Sequence, residues 1–151
     1  MSRFAHDRLF IAMWWFTAAM ALVRAVQIAG SSFGPDAIGL SDPVSAVLIG
    51  LGTTTTGLAI LFGAVGQRAA FWVAALAASA WSLVHAGYGM PMMLDAAASV
   101  SHMAACGAVA EMQAEITRIL AWNLAVISVH GAVVTVSLGA LRRLRSESQA
   151  R

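Results

Sequence analysis

The sequence predicts an all-α integral membrane protein: a four-helix transmembrane bundle with an additional interfacial or extended helical segment between helices 3 and 4. Three observations carry this. Of 151 residues, 60% are hydrophobic and 11% charged, with a mean hydropathy of +0.78, against about 45–50% apolar and about 25% charged in an ordinary soluble domain. Between Leu9 and Leu94 only Arg24, Asp36, Asp42 and Arg68 carry formal charge, too little polar surface for a chain meeting water. Four apolar stretches each approach the ~20 residues that a helix needs to cross a bilayer. The length suits one transmembrane domain spanning 1–151.

Helix 1 is expected over 9–30, LFIAMWWFTAAMALVRAVQIAG, whose length at about 1.5 Å per residue covers a bilayer core. A cleaved signal peptide is the rival reading, because Arg3 and Arg8 precede the apolar run, but the run exceeds the usual ~7–15 residues and Arg24 interrupts its end. SSFGPDAIGLSDP breaks the helix with Gly, Pro, Ser and Asp. Helix 2 follows over 43–65, with Pro43 as its first residue and Asp42 as its cap. Its run Thr53, Thr54, Thr55, Thr56, flanked by Gly52 and Gly57, reads as a helix contact or kink, since threonine can return its hydroxyl to a carbonyl one turn earlier. Gly66, Gln67 and Arg68 make a tight connection to helix 3, expected over 69–89, which Pro91 stops or follows with a new element. Residues 90–118 stay open between an interfacial helix, a re-entrant segment and an extension of helix 4. Helix 4 is expected over 119–141, and 142–151 reads as a solvated tail.

Arginine placement orients the bundle. Arg3, Arg8, Arg68, Arg142, Arg143, Arg145 and Arg151 fall on one side and Arg118 alone on the other. By the positive-inside rule both termini are cytoplasmic, in a cell (inner) membrane crossed several times, and the 31–43 loop and the 90–118 segment face outward. All nine basic residues are arginines at the ends of apolar stretches rather than in a patch tracking phosphates, which excludes nucleic acid. The single cysteine, Cys106, excludes an internal disulfide.

Strongly polar residues inside spans are the candidates for function. On helix 1, Met13, Thr17, Met20, Arg24 and Gln27 follow steps of 3 and 4 and share a face; on helix 4, Asn123, His130 and Ser137 do so at steps of seven. With His85, reached from Ser79 and Ser82 by steps of three, these predict an outward-facing polar chamber lined by Arg24, Gln27, His85, Asn123 and His130. His85 and His130, on different helices, could also be axial ligands of one b-type haem. A second cluster, Met90, Met92, Met93, His102, Met103 and Cys106, offers the thioether, imidazole and thiolate donors that suit copper(I), although methionine is equally a filler of irregular packing.

Catalytic motifs are absent: there is no Gly-x-Ser-x-Gly, no phosphate-cradling loop ending in Lys, no His-Glu-x-x-His and no CxxC. Glu111, Glu115 and Arg118 look like a solvated helix face. The expected role is a small binding or accessory subunit whose partners are the lipid bilayer and other membrane subunits or further copies of itself. Transport of an ion or copper, and a haem- or quinone-linked redox anchor, are the alternatives.

Overall fold

The computed structural model describes residues 3–30, 42–102 and 109–150. Within these, the side chains of Arg24, Gln27, Met92, Met93 and His102 lie outside the description, as do residues Met103 and Cys106 entirely. Four helices follow one another: α1 (Arg3–Gly30), α2 (Pro43–Ala64), α3 (Arg68–His102) and α4 (Val109–Gln149). The chain is all-helical, and among the described residues Pro43–Ala64, Arg68–Pro91 and Ile116–Gln149 are long and apolar enough to cross a membrane.

The start of α2 forms as expected. Pro43 occupies the first turn, where its missing N–H costs nothing, and the Asp42 carboxylate accepts from the Ser45 backbone N–H at 2.8 Å. The end of α2 is a Schellman closure: Gly66 takes φ +74°, its N–H donates to Gly63 at 3.1 Å, and the Gln67 N–H donates to Phe62 at 2.8 Å. Only glycine accepts that φ without strain, so Gly66 sets the reversal into α3.

The segment left open at 90–118 is helical wherever it is described. Pro91 lies inside α3 rather than at its end, so proline removes only the one bond that the Gly87 carbonyl would accept, and the bonds on either side carry the helix onward. The expected extension of helix 4 is thus shared between α3, which continues to His102, and α4, which begins at Val109. The expected solvated tail is helical to Gln149, with exposed side chains.

Packing is sequential. α3 is central, lying against α2 on one side and α4 on the other, while α1 packs on α2. The faces that meet are made of small residues: Ser45, Gly52, Ala59 and Gly63 on α2, and Ala74, Ala75, Ala78, Ser79, Ser82 and Ala86 on α3 are buried. Without a hydrophobic drive between helices in lipid, such residues let backbones approach and gain dispersion contacts. The cluster Ala59, Phe71, Trp72, Ala74 and Ala75 gathers Phe10 and Trp14 from α1 and Val136, Leu141 and Leu144 from α4 around one end of α3.

The outer surface is apolar. Trp15 is 62% exposed, Leu22 66% and Leu124 59%. Of the apolar 18-residue window within Ile116–Gln149 only 11% is buried, so its hydropathy serves contact with a hydrocarbon solvent and not an internal core.

Candidate functional site

The polar residues of α3 and α4 meet in a seam. Ser79 and Ser82 are one turn apart on the buried face of α3, and His130, Val133 and Ser137 lie on the facing side of α4. The seam is tied where His130 Nδ1 and Ser79 Oγ stand 3.2 Å apart, a side-chain hydrogen bond across helices whose direction depends on the histidine tautomer. Ser82 donates to the Ala78 carbonyl at 2.9 Å on its own helix. Ser137 Oγ is fully buried and has no hydrogen-bond partner among the described residues. The predicted helical phase is observed here, since His130 and Ser137 both face α3.

The Ser79–His130 bond also sets the register of the antiparallel pair. His85 is six residues beyond Ser79, about 9 Å further from the Phe71 and Trp72 end of α3, which places it level with Asn123 and Leu124 rather than with His130. The two histidines expected as a haem pair are therefore offset by about 9 Å along the bundle.

Asn123 lies half-buried on α4, and its Nδ2 donates to the Ile119 carbonyl at 3.0 Å. Of the expected chamber residues, the register brings His85 and Asn123 to one level. His130 sits nearly two turns further along α4, and Arg24 and Gln27 have side chains outside the described set. A shallow open groove of about 620 Å³ passes Arg118, Ile119, Ala121, Trp122 and Ala125. One helix supplies these lining residues, so this is a surface cleft and not the chamber. Of the copper-type donors, Met90 is half-buried on α3, and Met92, Met93, His102, Met103 and Cys106 fall outside the described side chains. Among the described residues no group of three His, Cys, Asp or Glu converges on a common point.

The threonine run behaves as its chemistry suggests. Thr53 donates to Ile49 at 2.8 Å, Thr55 to Leu51 at 2.7 Å and Thr56 to Gly52 at 2.7 Å. Each hydroxyl is satisfied within α2, which lets threonine face lipid without an orphaned donor.

Two contacts at the other end were not legible in the sequence. Trp14 of α1 lies on Gly63 of α2 and donates its Nε1–H to the Ile60 carbonyl at 3.0 Å. Asp7 of α1 pairs with Arg68 at 2.6 Å, while that guanidinium stands 5.4 Å from the Phe10 ring centroid. The one available signal was pairing by elimination: Asp7 is the sole acid on the arginine-rich side apart from Glu147.

Compared with protein-family models, curated proteins and solved structures, the chain matches none.

Proposed function

We propose that the chain is a four-span membrane protein, with both termini on the cytoplasmic side of the cell (inner) membrane, that acts as a binding or accessory subunit by docking other transmembrane helices. One observation carries this reading. α2 has a second small-residue face, opposite the one buried against α3, where Gly50, Thr53, Thr54 and Gly57 are exposed. A Cβ at Gly50 or Gly57 would meet nothing within 4 Å, whereas at Gly63 it would overlap the Trp14 ring. Thr53 keeps its hydroxyl on its own helix, and the two glycines leave a shallow stretch between the exposed Val47 and Leu61 to which another helix can come close.

Support for a fourth crossing comes from the apolar run at 9–30 in the sequence of α1, which packs on α2 through Trp14. Orientation follows the arginines. Arg8, Arg68, Arg142, Arg143 and Arg145 come from three helices, and contacts of Phe10, Leu141 and Leu144 with the Phe71 and Trp72 cluster bring them to one end. The proposed polar chamber opens at the opposite end, at the level of His85 and Asn123.

The experiment is extraction from native membranes into polymer-bounded nanodiscs, followed by mass measurement. The reading expects assemblies heavier than the 15.7 kDa protomer, reduced by Gly50→Leu and Gly57→Leu, which fill the open face without touching the internal packing. A lone wild-type protomer, or assemblies indifferent to both substitutions, would overturn it.

A further inference from the structure

The last three turns of α4 carry three arginines against one glutamate, Glu147. The usual explanation for cations near a helix C-terminus is the helix dipole, but that effect is confined to the last turn. α4 continues to Gln149, and its last turn holds no basic residue. The packing at this end is made by Leu141 and Leu144, against the Phe71 and Trp72 cluster, while Arg142 and Arg145 are exposed. Arg68, at the same end, differs in being committed to Asp7 and Phe10.

Leu138, Arg142 and Arg145 are spaced by four and three, so they form one stripe along α4. Leu138 is 40% exposed and lies within the apolar Ile116–Gln149 stretch. Arg142 follows one turn and Arg145 about two turns further along, where the antiparallel register brings α4 level with the α2–α3 turn at Gly66. The stripe thus runs from an apolar contact to two cationic, planar donors on successive turns. That is the profile of a phospholipid, with an acyl chain against Leu138 and a phosphate reached by both arginines.

We propose that the Leu138–Arg142–Arg145 stripe is a binding site for an anionic phospholipid of the cytoplasmic leaflet. This rests on the membrane reading above but not on the helix-docking one. A free phosphate would use the arginines without Leu138; the order of the stripe selects the lipid.

The test is native mass spectrometry of the full chain, purified in mild detergent, delipidated and titrated with phosphatidylglycerol, phosphatidylcholine or inorganic phosphate. Phosphatidylglycerol should bind preferentially. Arg142→Gln and Arg145→Gln should each weaken it by about fivefold, while Arg142→Lys/Arg145→Lys retains most of the preference and Leu138→Ser weakens retention. Melting temperatures of the variants, read beside the titration, identify any that fail to fold, and the lysine pair keeps the result interpretable in that case. Equal binding of the two lipids, or wild-type preference in the folded glutamine variants, would refute the site. Inorganic phosphate binding with the same arginine dependence and no effect of Leu138 would refute the lipid as occupant. Failure of the chain to float with phosphatidylcholine vesicles would instead sink the membrane reading itself.

Discussion

Trp14 occupies the space that a side chain at Gly63 would need. The indole of α1 covers this glycine of α2, and its Nε1–H reaches the Ile60 carbonyl at 3.0 Å. This close approach combines with Phe10 against Phe71, ring centroids 5.1 Å apart at 83°, to hold α1 on the bundle.

Gly63→Leu should therefore displace Trp14 and release α1, at a cost of about 1–3 kcal/mol. Trp14→Phe keeps an aromatic side chain on α2 but loses the hydrogen bond and part of the indole's contact over Gly63, about 1–2 kcal/mol, without releasing α1. Denaturant unfolding in micelles, with proteolytic nicking of α1 as a second readout, separates the two. Equal stability of Gly63→Leu and wild type would contradict the contact.

Across the α3–α4 seam, Ser79→Ala removes the bond to His130 and should cost about 0.5–1.5 kcal/mol. Ser128→Ala is the matched control, because that exposed hydroxyl donates to Leu124 of its own helix at 2.8 Å; its effect should stay below about 0.5 kcal/mol. A Ser79 variant no more affected than the Ser128 variant would argue against a cross-helix tie.

The Asp7–Arg68 pair is close to half exposed on both sides, 44% and 47%, so solvent and salt screen most of its attraction. A double-mutant cycle with Asp7→Asn and Arg68→Gln should give a coupling of about 0–1 kcal/mol that shrinks further in high salt. Coupling well above that range would mean that the site is drier than its exposure indicates.

At the opposite end, the Ser45 backbone N–H holds the Asp42 carboxyl below its ordinary value of 3.8, burial opposes this, and hydrogen bonds from the Ser45 and Tyr88 hydroxyls add to the lowering. A carboxyl whose folded value is depressed stabilises the fold above the unfolded value, and that contribution is lost as pH falls through the folded one. Amide exchange at Val44 to Ala46 should accelerate as pH drops below 3.8, after correction for intrinsic rates. Asp42→Ala should show the faster exchange already at neutral pH, with no such acid step. An acid step that persists in Asp42→Ala would assign it to another group.

Much of this protein was determined by local chemistry that a sequence displays. Asp42 before Pro43 specifies a helix start, Gly66 specifies a reversal, and the arginine distribution specifies which helix ends lie together. Thr53, Thr55 and Thr56 satisfy themselves within one helix, so their bonding could be read without knowing any neighbour. Pro91 is the exception on this level, because a helix can lose one hydrogen bond and continue when the bonds around it persist.

Tertiary structure decided what depends on register. His85 and His130 look like a pair when heights are measured along separate helices, but the Ser79–His130 contact slides α4 along α3 and sets them about 9 Å apart in height. Trp14 meeting Gly63 and Asp7 meeting Arg68 likewise depend on how α1 lies against its neighbours. Helical period tells which residues share a face; only packing tells which face of which helix they meet, because close-packed small residues allow several registers of similar hydropathy and differ mainly in their few specific contacts.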